Sequence, residues 1–366
     1  MRKLTCPVRK VNAQVIGFDL HKRLIVYCLL DRKGRELGTG RFAATAEAVE
    51  AFLAEHVGRK RTHFAFEASG CSQWIFDLLS ARYPAERIHV GHARRISAIA
   101  NSRQKTDEHD AFWLAYLTHE GRLPESFIPA GSLRELRIAT RRRVDLVRQR
   151  TRAVVVLKAE AAQLGYDLRG AGLRSERAQE KAWELARATQ GSRGQLLYEC
   201  LEEIDRLDLA IAAWEQRVAE LVAELPAVEQ LRRRIPGLGA VLAATVYAES
   251  GPIDRFASAK TFAAFTGLAP SCRISAGRAA PSTISREGNP YLRWALTQAV
   301  MACTRARHGA ARAVGEWVRA RERRMGCKGK ARCAAARKLA ETIWRLFDDP
   351  EHFDAARPFG GLRAAA

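Results

Sequence analysis

"VIGFDLHKRLIVYCLLDRKGRELGTGRF" spans Val15 to Phe42. It holds three β-rich runs, Val15–Leu20, Leu24–Asp31 and Glu36–Phe42. Branched and aromatic residues dominate the first two, and Asp-Arg-Lys-Gly supplies a turn before the third. Nothing between these runs has the spacing of a helix. Three strands therefore follow one another directly, and this limits the sheets the chain can build.

Downstream the signals alternate. "TAEAVEAFLAEHV" (Thr45–Val57) has an N-capping threonine, glutamates near its start and apolar residues at helical spacing. Thr62–Ala68 reads as a fourth strand, Cys71–Tyr83 as a helix and Arg87–His92 as a fifth strand. A further helix begins inside "NSRQKTDEHDAFWLAYL" (Asn101–Leu117). Three hairpin strands followed by α, β, α, β, α is the order of a ribonuclease-H-like sheet. A doubly wound fold would alternate strand and helix throughout. The first domain is placed at residues 13–125.

The chain has 366 residues and a formal net charge of +21, and 47% of its residues are hydrophobic. That length suggests two or three domains with real cores. The basic excess points to a polyanionic partner, most simply nucleic acid. No run reaches the ~18–20 apolar residues of a spanning helix, and residues 1–13 lack a signal-peptide pattern. The eight cysteines (Cys6, Cys28, Cys71, Cys200, Cys272, Cys303, Cys327 and Cys333) form no C-x-x-C pair. They read as reduced cytosolic thiols rather than a disulfide frame or a zinc site.

Residues 131–225 show no strand signal and are assigned to a helical coiled-coil arm. From Leu197 to Leu225 the apolar residues Leu197, Leu201, Ile204, Leu207, Ile211, Trp214, Val218, Leu221 and Leu225 recur in steps of three and four, which makes a coiled-coil seam. Leu133–Leu164 is a long helix with an arginine-rich face. Nine Arg/Lys against two acids between Leu133 and Lys158 favour nucleic-acid contact over a merely solvated face. "GYDLRGAGLRSER" reads as the turn between the two helices.

A mostly helical third region, residues 230–350, opens with "RRRIPGLGAVLAATVYAES" (Arg232–Ser250). Ile-Pro-Gly-Leu-Gly before a small-residue helix is the turn of a helix-hairpin-helix. Arg232, Arg233, Arg234, Gly237 and Gly239 are its candidate phosphate contacts. A long Gly/Ser/Pro loop within Phe265–Val300 follows, carrying Arg273, Arg278, Arg286 and Arg293. Loops of that length are usually functional or disordered. Arg305–Arg345 then holds thirteen Arg/Lys and three Glu, and residues 351–366 are a tail.

Asp107 and Asp110 lie one turn apart at a helix start, with Thr106 as N-cap and Arg103 and Lys105 just before. Alone, such a pair needs no explanation beyond the helix dipole. In a ribonuclease-H-like sheet, however, Asp19 on the first strand, Glu67 on the fourth and this pair can converge on one edge. Four carboxylates brought together need cations. Mg²⁺ takes oxygen ligands, and two such ions ~3.5–4 Å apart serve in-line phosphoryl displacement. Arg103 and Lys105 would hold phosphates, while Glu108 and His109 point elsewhere.

"IGFDLHK", "FEASG", "KTDEHDAFWLA", "RIPGLGAVLAATVYAESGPIDRFASAKTFAAFTGLAP" and "ISREGNPYLRWAL" together resemble, in order and spacing, the DEDD-type insertion-sequence transposases. These pair a RuvC-like N-terminal domain with a serine-bearing C-terminal transposase domain, and the Piv-type invertases are in the same group. The resemblance covers nearly the whole chain. It implies a Mg²⁺-dependent DNA recombinase whose serine forms a transient phosphoserine link. It also implies a structured noncoding bridge RNA pairing with donor and target DNA, dimers assembling into tetramers, and a cytoplasmic, nucleoid-associated bacterial protein. Aligned on the motif, Ser275 is the nucleophile, although the usual following glycine is Ala276 here. Ser271, Ser282 and Ser285 stand as weaker choices. Arg273, Arg278 and Arg293 would steady the phosphate. Two other readings remain: a RuvC-like nuclease that uses water, and a nucleic-acid-binding scaffold without catalysis.

Overall fold

Strands β1 (Gln14–Leu20), β2 (Leu24–Leu30) and β3 (Glu36–Ala43) form an antiparallel meander, and β4 (Thr62–Glu67) and β5 (Ile88–Gly91) add in parallel beside β1. The order across the sheet is β3-β2-β1-β4-β5. The helices of this part are α1 (Ala46–His56), α2 (Ser72–Ser80), α3 (Ala93–Ile99) and α4 (Asp107–His119). The computed structural model describes residues 10–57, 61–99, 106–168, 173–270, 274–275, 278–279, 284 and 287–360, with backbone only at 97–99, 274–275 and 278–279. It forms two compact units, Met1–Ala130 and Gly131–Ala366.

In the first unit, strand alternation divides the sheet's two faces. Ile16, Phe18, Ile25, Phe64 and Phe66 pack with α1 and α2 through Val49, Phe52, Leu53, Ile75 and Leu79. On the other face Val15, Val26, Cys28 and Leu30 meet Ala111 and Ala115 of α4, and Ala65 meets Leu114 and Leu117. Gly17 allows this second layer to close. A Cβ there would collide with the Ala111 carbonyl and lie 2.7 Å from Ala115 N. The sequence reading found every strand of this unit but missed α3, a seven-residue helix too short to show periodicity.

The second unit starts with α5 (Gly131–Gln163), α6 (Glu176–Ala188) and α7 (Gly191–Val222). α5 and α7 are antiparallel, since the pairs Arg143–Glu215 and Arg150–Asp208 climb along one helix as they descend the other. The seam is filled within the chain. Leu197, Cys200, Leu201 and Ile204 pack with Ala153, Val154, Leu157 and with Leu185 of α6; Leu207 and Ile211 pack with Leu146. At the base, Val218, Leu136 and Ala139 join the core of the following helices. The stretch between the long helices reads as a turn, and the structure adds α6 there. α6 buries small residues, Ala182 and Ala186 beside Leu185.

The remaining elements are α8 (Pro226–Arg234), α9 (Ala240–Ser250), α10 (Ala259–Phe265), the two-residue strands β6 (Ile274–Ser275) and β7 (Arg278–Ala279), α11 (Pro290–Cys303), α12 (Gly309–Met325) and α13 (Lys328–Asp348). Their shared core runs through Leu231, Val246, Phe262, Leu296, Val314 and Leu339. No helix among the described residues is long and apolar enough to cross a membrane.

Candidate active site

Asp19 and Glu67 are on neighbouring parallel strands. Phe18 pairs with Phe66, so the two acids follow one step later, at the same edge of the sheet. Alternation puts both on the α4 face, with Gly17 and Ala65. α4 runs antiparallel to β1, because its last residue, His119, accepts through its carbonyl from Val11 N at 2.8 Å. Its first turn therefore lies beside the end of β1, where Asp19 is. Thr106 Oγ1 accepts from His109 N at 3.2 Å and caps the helix as its residue type predicts.

Between these elements a donor cluster forms. His21 Nε2 is 3.0 Å from Asp19 Oδ2 and 3.3 Å from Asp107 Oδ2. Among the described residues, Asp19, His21 and Asp107 are the set whose ligand atoms all lie within 4.8 Å of one another. Asp110 is close enough to act on Asp19 by charge. Burial, then the Asp107 and Asp110 charges, pushes the Asp19 carboxyl above its usual range, against the pull of His21. A crowded carboxylate that resists ionisation favours a bound cation, and two carboxylates with an imidazole are a metal-compatible donor set. Asp110 and the half-buried Glu67 stand outside the tight set.

His21 was missed in the sequence. The signal was there in the spacing, since His21 follows Asp19 by two, one residue past the end of β1. Its backbone N donates to Leu24 O at 3.0 Å, so the β1–β2 turn sets its position. His109 is committed elsewhere, accepting at Nε2 from Trp113 Nε1 at 2.9 Å. Arg103 and Lys105 lie outside the described residues.

In the second unit, Ser275 pairs with Arg278 across the β6–β7 ribbon, and Pro270 bridges Ile284 further out. Ser271, Arg273, Ser282, Ser285 and Arg286 lie outside the described residues. The ends of this loop touch: Gly288 packs on Gly267 so closely that a Cβ would overlap the Gly267 backbone, and Asn289 N donates to Phe265 O at 2.8 Å. Asn289 caps α11, accepting from Tyr291 N and Leu292 N, while its Nδ2 donates to Glu249 Oε2 at 2.7 Å. The Glu249 side chain has no exposed surface and also takes a bidentate pair from Arg141 at 2.6 and 2.8 Å. Arg293 reaches the same stem. Its Nη1 is buried over Gly267, with no hydrogen-bond partner among the described residues.

Several cations of the sequence argument have partners inside the chain. Arg137 donates to Ala248 O, and Arg143, Arg148 and Arg150 pair with Glu215, Asp145 and Asp208. Counting charge along one helix could not reveal carboxylates 58–108 residues away. Within α8, Arg232 and Arg233 pair with Glu229. Arg234 donates to Pro350 O and Phe353 O. Gly237 uses its positive φ of 80° to approach α11, where a Cβ would meet the Ala299 carbonyl; Gly239 has open space around it. On the C-terminal stretch Arg305, Arg307, Arg323, Arg324 and Lys330 are exposed.

Comparison with known proteins agrees with this organisation. Residues 16–164 match a family model of IS110-type DEDD transposases, described as "Transposase". Residues 219–315 match a second, "Transposase IS116/IS110/IS902 family". A "Probable family 20 transposase" of Pseudomonas aeruginosa is 27% identical over 278 residues, 73% of this chain and 81% of that one. The "Transposase for insertion sequence element IS1111A" of Coxiella burnetii is 26% identical over 351 residues, 93% of this chain and 92% of its own.

Proposed function

Because the chain belongs to the IS110 family of DEDD transposases, we propose that it exchanges DNA strands with a Mg²⁺-binding set of Asp19, Glu67, Asp107 and Asp110 and with Ser275 as nucleophile. The observation that carries this reading is the convergence of Asp19 and Asp107 on one sheet edge, with Asp110 acting on Asp19 and Glu67 at the end of the adjacent strand. Bound Mg²⁺ would supply charge stabilisation at the reacting phosphate. The carboxylates hold that charge in place. The Ser275 hydroxyl attacks phosphorus and loses its proton, the bond to one deoxyribose oxygen breaks, and that oxygen leaves as a hydroxyl.

The stem of the serine loop supports the second half of the proposal. Its two glycines and the buried Glu249–Asn289 bond give the loop a fixed base, and Arg293 brings to it a buried donor that has no partner among the described residues. The exposed cations of α12, α13 and the segment before α12 are suited to nucleic-acid phosphates, as are Arg103, Lys105, Arg273, Arg278 and Arg286. We extend the proposal to a helix-hairpin-helix contact through Gly239 and a structured noncoding RNA. It further includes a coiled-coil arm from α5 and α7, and dimers that assemble into tetramers near the nucleoid.

The test traps the adduct. Wild-type chain is incubated with a nicked element end and Mg²⁺, denatured, and mapped by mass spectrometry. The expected result is a phosphoserine at Ser275 that Ser275→Ala abolishes without losing DNA binding. An adduct on Ser271, Ser282 or Ser285 would move the assignment. Full cleavage by Ser275→Ala with no adduct would establish the water-using nuclease instead.

A further inference from the structure

We infer that His21 is itself a ligand of the metal held at the acidic edge, through Nε2, and that it tilts the site toward ions that accept nitrogen, such as Mn²⁺ and Co²⁺, relative to Mg²⁺. This rests on the acidic metal site proposed above and adds one residue and one selectivity to it.

Geometry argues first. An octahedral ion with bonds of about 2.1 Å holds adjacent ligand atoms about 3.0 Å apart. His21 Nε2 stands 3.0 Å from Asp19 Oδ2 and 3.3 Å from Asp107 Oδ2. His21 Nε2 thus stands at the spacing of a neighbouring corner from each carboxylate, and all three donors lie within 4.8 Å of one another. The simpler account is a cationic imidazole bridging two carboxylates. That account explains the distances without an ion, but it leaves the two acids satisfied at a half-exposed surface with no use for the arrangement. The side chains of His21 and Asp107 are 42% and 56% exposed, so an ion held here keeps positions open to solvent or a phosphate, as catalytic sites do.

Position argues second. His21 is not on a loose loop, because its N–H to the Leu24 carbonyl closes the turn between β1 and β2. Asp19 lies two residues earlier, near the end of β1. Asp107 is placed by the packing of α4 on Gly17. Each ligand therefore comes from a different anchored point, which preorganises the site. Imidazole is a softer donor than carboxylate and is disfavoured by Mg²⁺ relative to transition ions, which is the source of the selectivity.

The experiment uses the full chain and the metals alone. Mn²⁺ is titrated and followed by electron paramagnetic resonance, with pulsed measurements reading ¹⁴N coupling to the bound ion; Mg²⁺ affinity comes from competition. The expected wild-type spectrum carries the coupling of one imidazole. His21→Ala should lose it and weaken Mn²⁺ at least about tenfold while Mg²⁺ changes less than about threefold. His21→Gln, which keeps a side-chain oxygen at the turn and guards against a folding artefact, should retain Mg²⁺ and also lack the coupling. Bound Mn²⁺ without nitrogen coupling in the wild type, coupling that survives His21→Ala, or equal loss of both metals would overturn the assignment of His21 while leaving the acidic site standing. No Mn²⁺ binding, or binding unaffected by Asp19→Asn, would overturn the acidic site itself, and His21 with it.

Discussion

The carboxylate edge of the first unit and the serine-loop stem of the second are held by different forces. At the edge, contact is steric: Gly17 has no side chain, α4 lies directly on the strand, and Asp107 comes to Asp19 as a consequence. At the stem, the loop ends meet through glycines, but the anchor beneath them is a buried charge, Glu249, gripped by Arg141 and Asn289. Steric placement tolerates changes of charge nearby and fails on one added methyl. Electrostatic placement tolerates small changes of volume and fails when one partner leaves.

The largest expected effect follows from the second kind. Glu249→Ala strands Arg141 beside an empty buried position and frees Asn289, while Arg137 keeps its bond to the Ala248 carbonyl. Breaking a buried pair costs about 3–5 kcal/mol, and the low end applies because Arg141 is 41% exposed. Denaturant unfolding measures it. Glu249→Gln, which keeps hydrogen bonds, should lose clearly less, and equal losses would show that charge is not the anchor. Next comes Gly17→Ala. One methyl against the backbone of α4 should cost about 2 kcal/mol and weaken metal binding at Asp19. Gly38→Ala in the same sheet meets nothing within 4 Å and serves as the neutral control. If the two behave alike, the steric account of the edge fails.

A smaller effect tests the first unit by pH. At the opposite end of β4 from Glu67, His63 is buried, stacks on His89 and shares a 2.9 Å hydrogen bond with it, and His89 bonds Glu125 at 2.6 Å. Burial, then the neighbouring His89, Arg61 and Arg87 charges, pushes the His63 pKa down to about 4. The unfolded chain takes up this proton near pH 6.5, whereas the folded one resists until about 4. Stability from His63 is thus complete above pH 6.5 and declines as pH falls toward 4. The slope approaches about 1.4 kcal/mol per pH unit, with about 1 kcal/mol or less lost at pH 6. His63→Gln should flatten this part of the pH profile of unfolding. A profile unchanged by that substitution would place the titration elsewhere.

The smallest effect on stability is expected at Arg232. Its pair with Glu229 is exposed, so Arg232→Ala should leave unfolding nearly unchanged. If Arg232 meets a DNA phosphate, the same variant reduces the slope of log K against log[salt] by about 0.9. An unchanged slope would leave Arg232 only its bond to Glu229.

What the sequence made readable was what depends on neighbours in the chain. The alternation of β1, the cap at Thr106 and the steps of three and four in α7 are local patterns, and each has its counterpart in the structure. What it hid depends on distance. The arginines of α5 looked like a basic face because their partners, Glu215, Asp208 and Glu249, are far along the chain. Gly237 resembled a glycine that lets phosphate approach, but its bare Cα is spent on α11. His21 was hidden for a different reason: an expected set of four acids left no place for a fifth donor of another element.

The antiparallel pair of α5 and α7 has one more consequence. Its helices are 33 and 32 residues long, so each measures about 50 Å. Only the base shares the core of the later helices; the middle and the tip are filled by separate clusters of their own. Two turns removed from α5 opposite two turns removed from α7, seven residues from each, would preserve the seam's register and leave the base intact. The reach of this hairpin is therefore a dimension that insertion and deletion can tune like the length of a pole, independently of the ground in which it is planted.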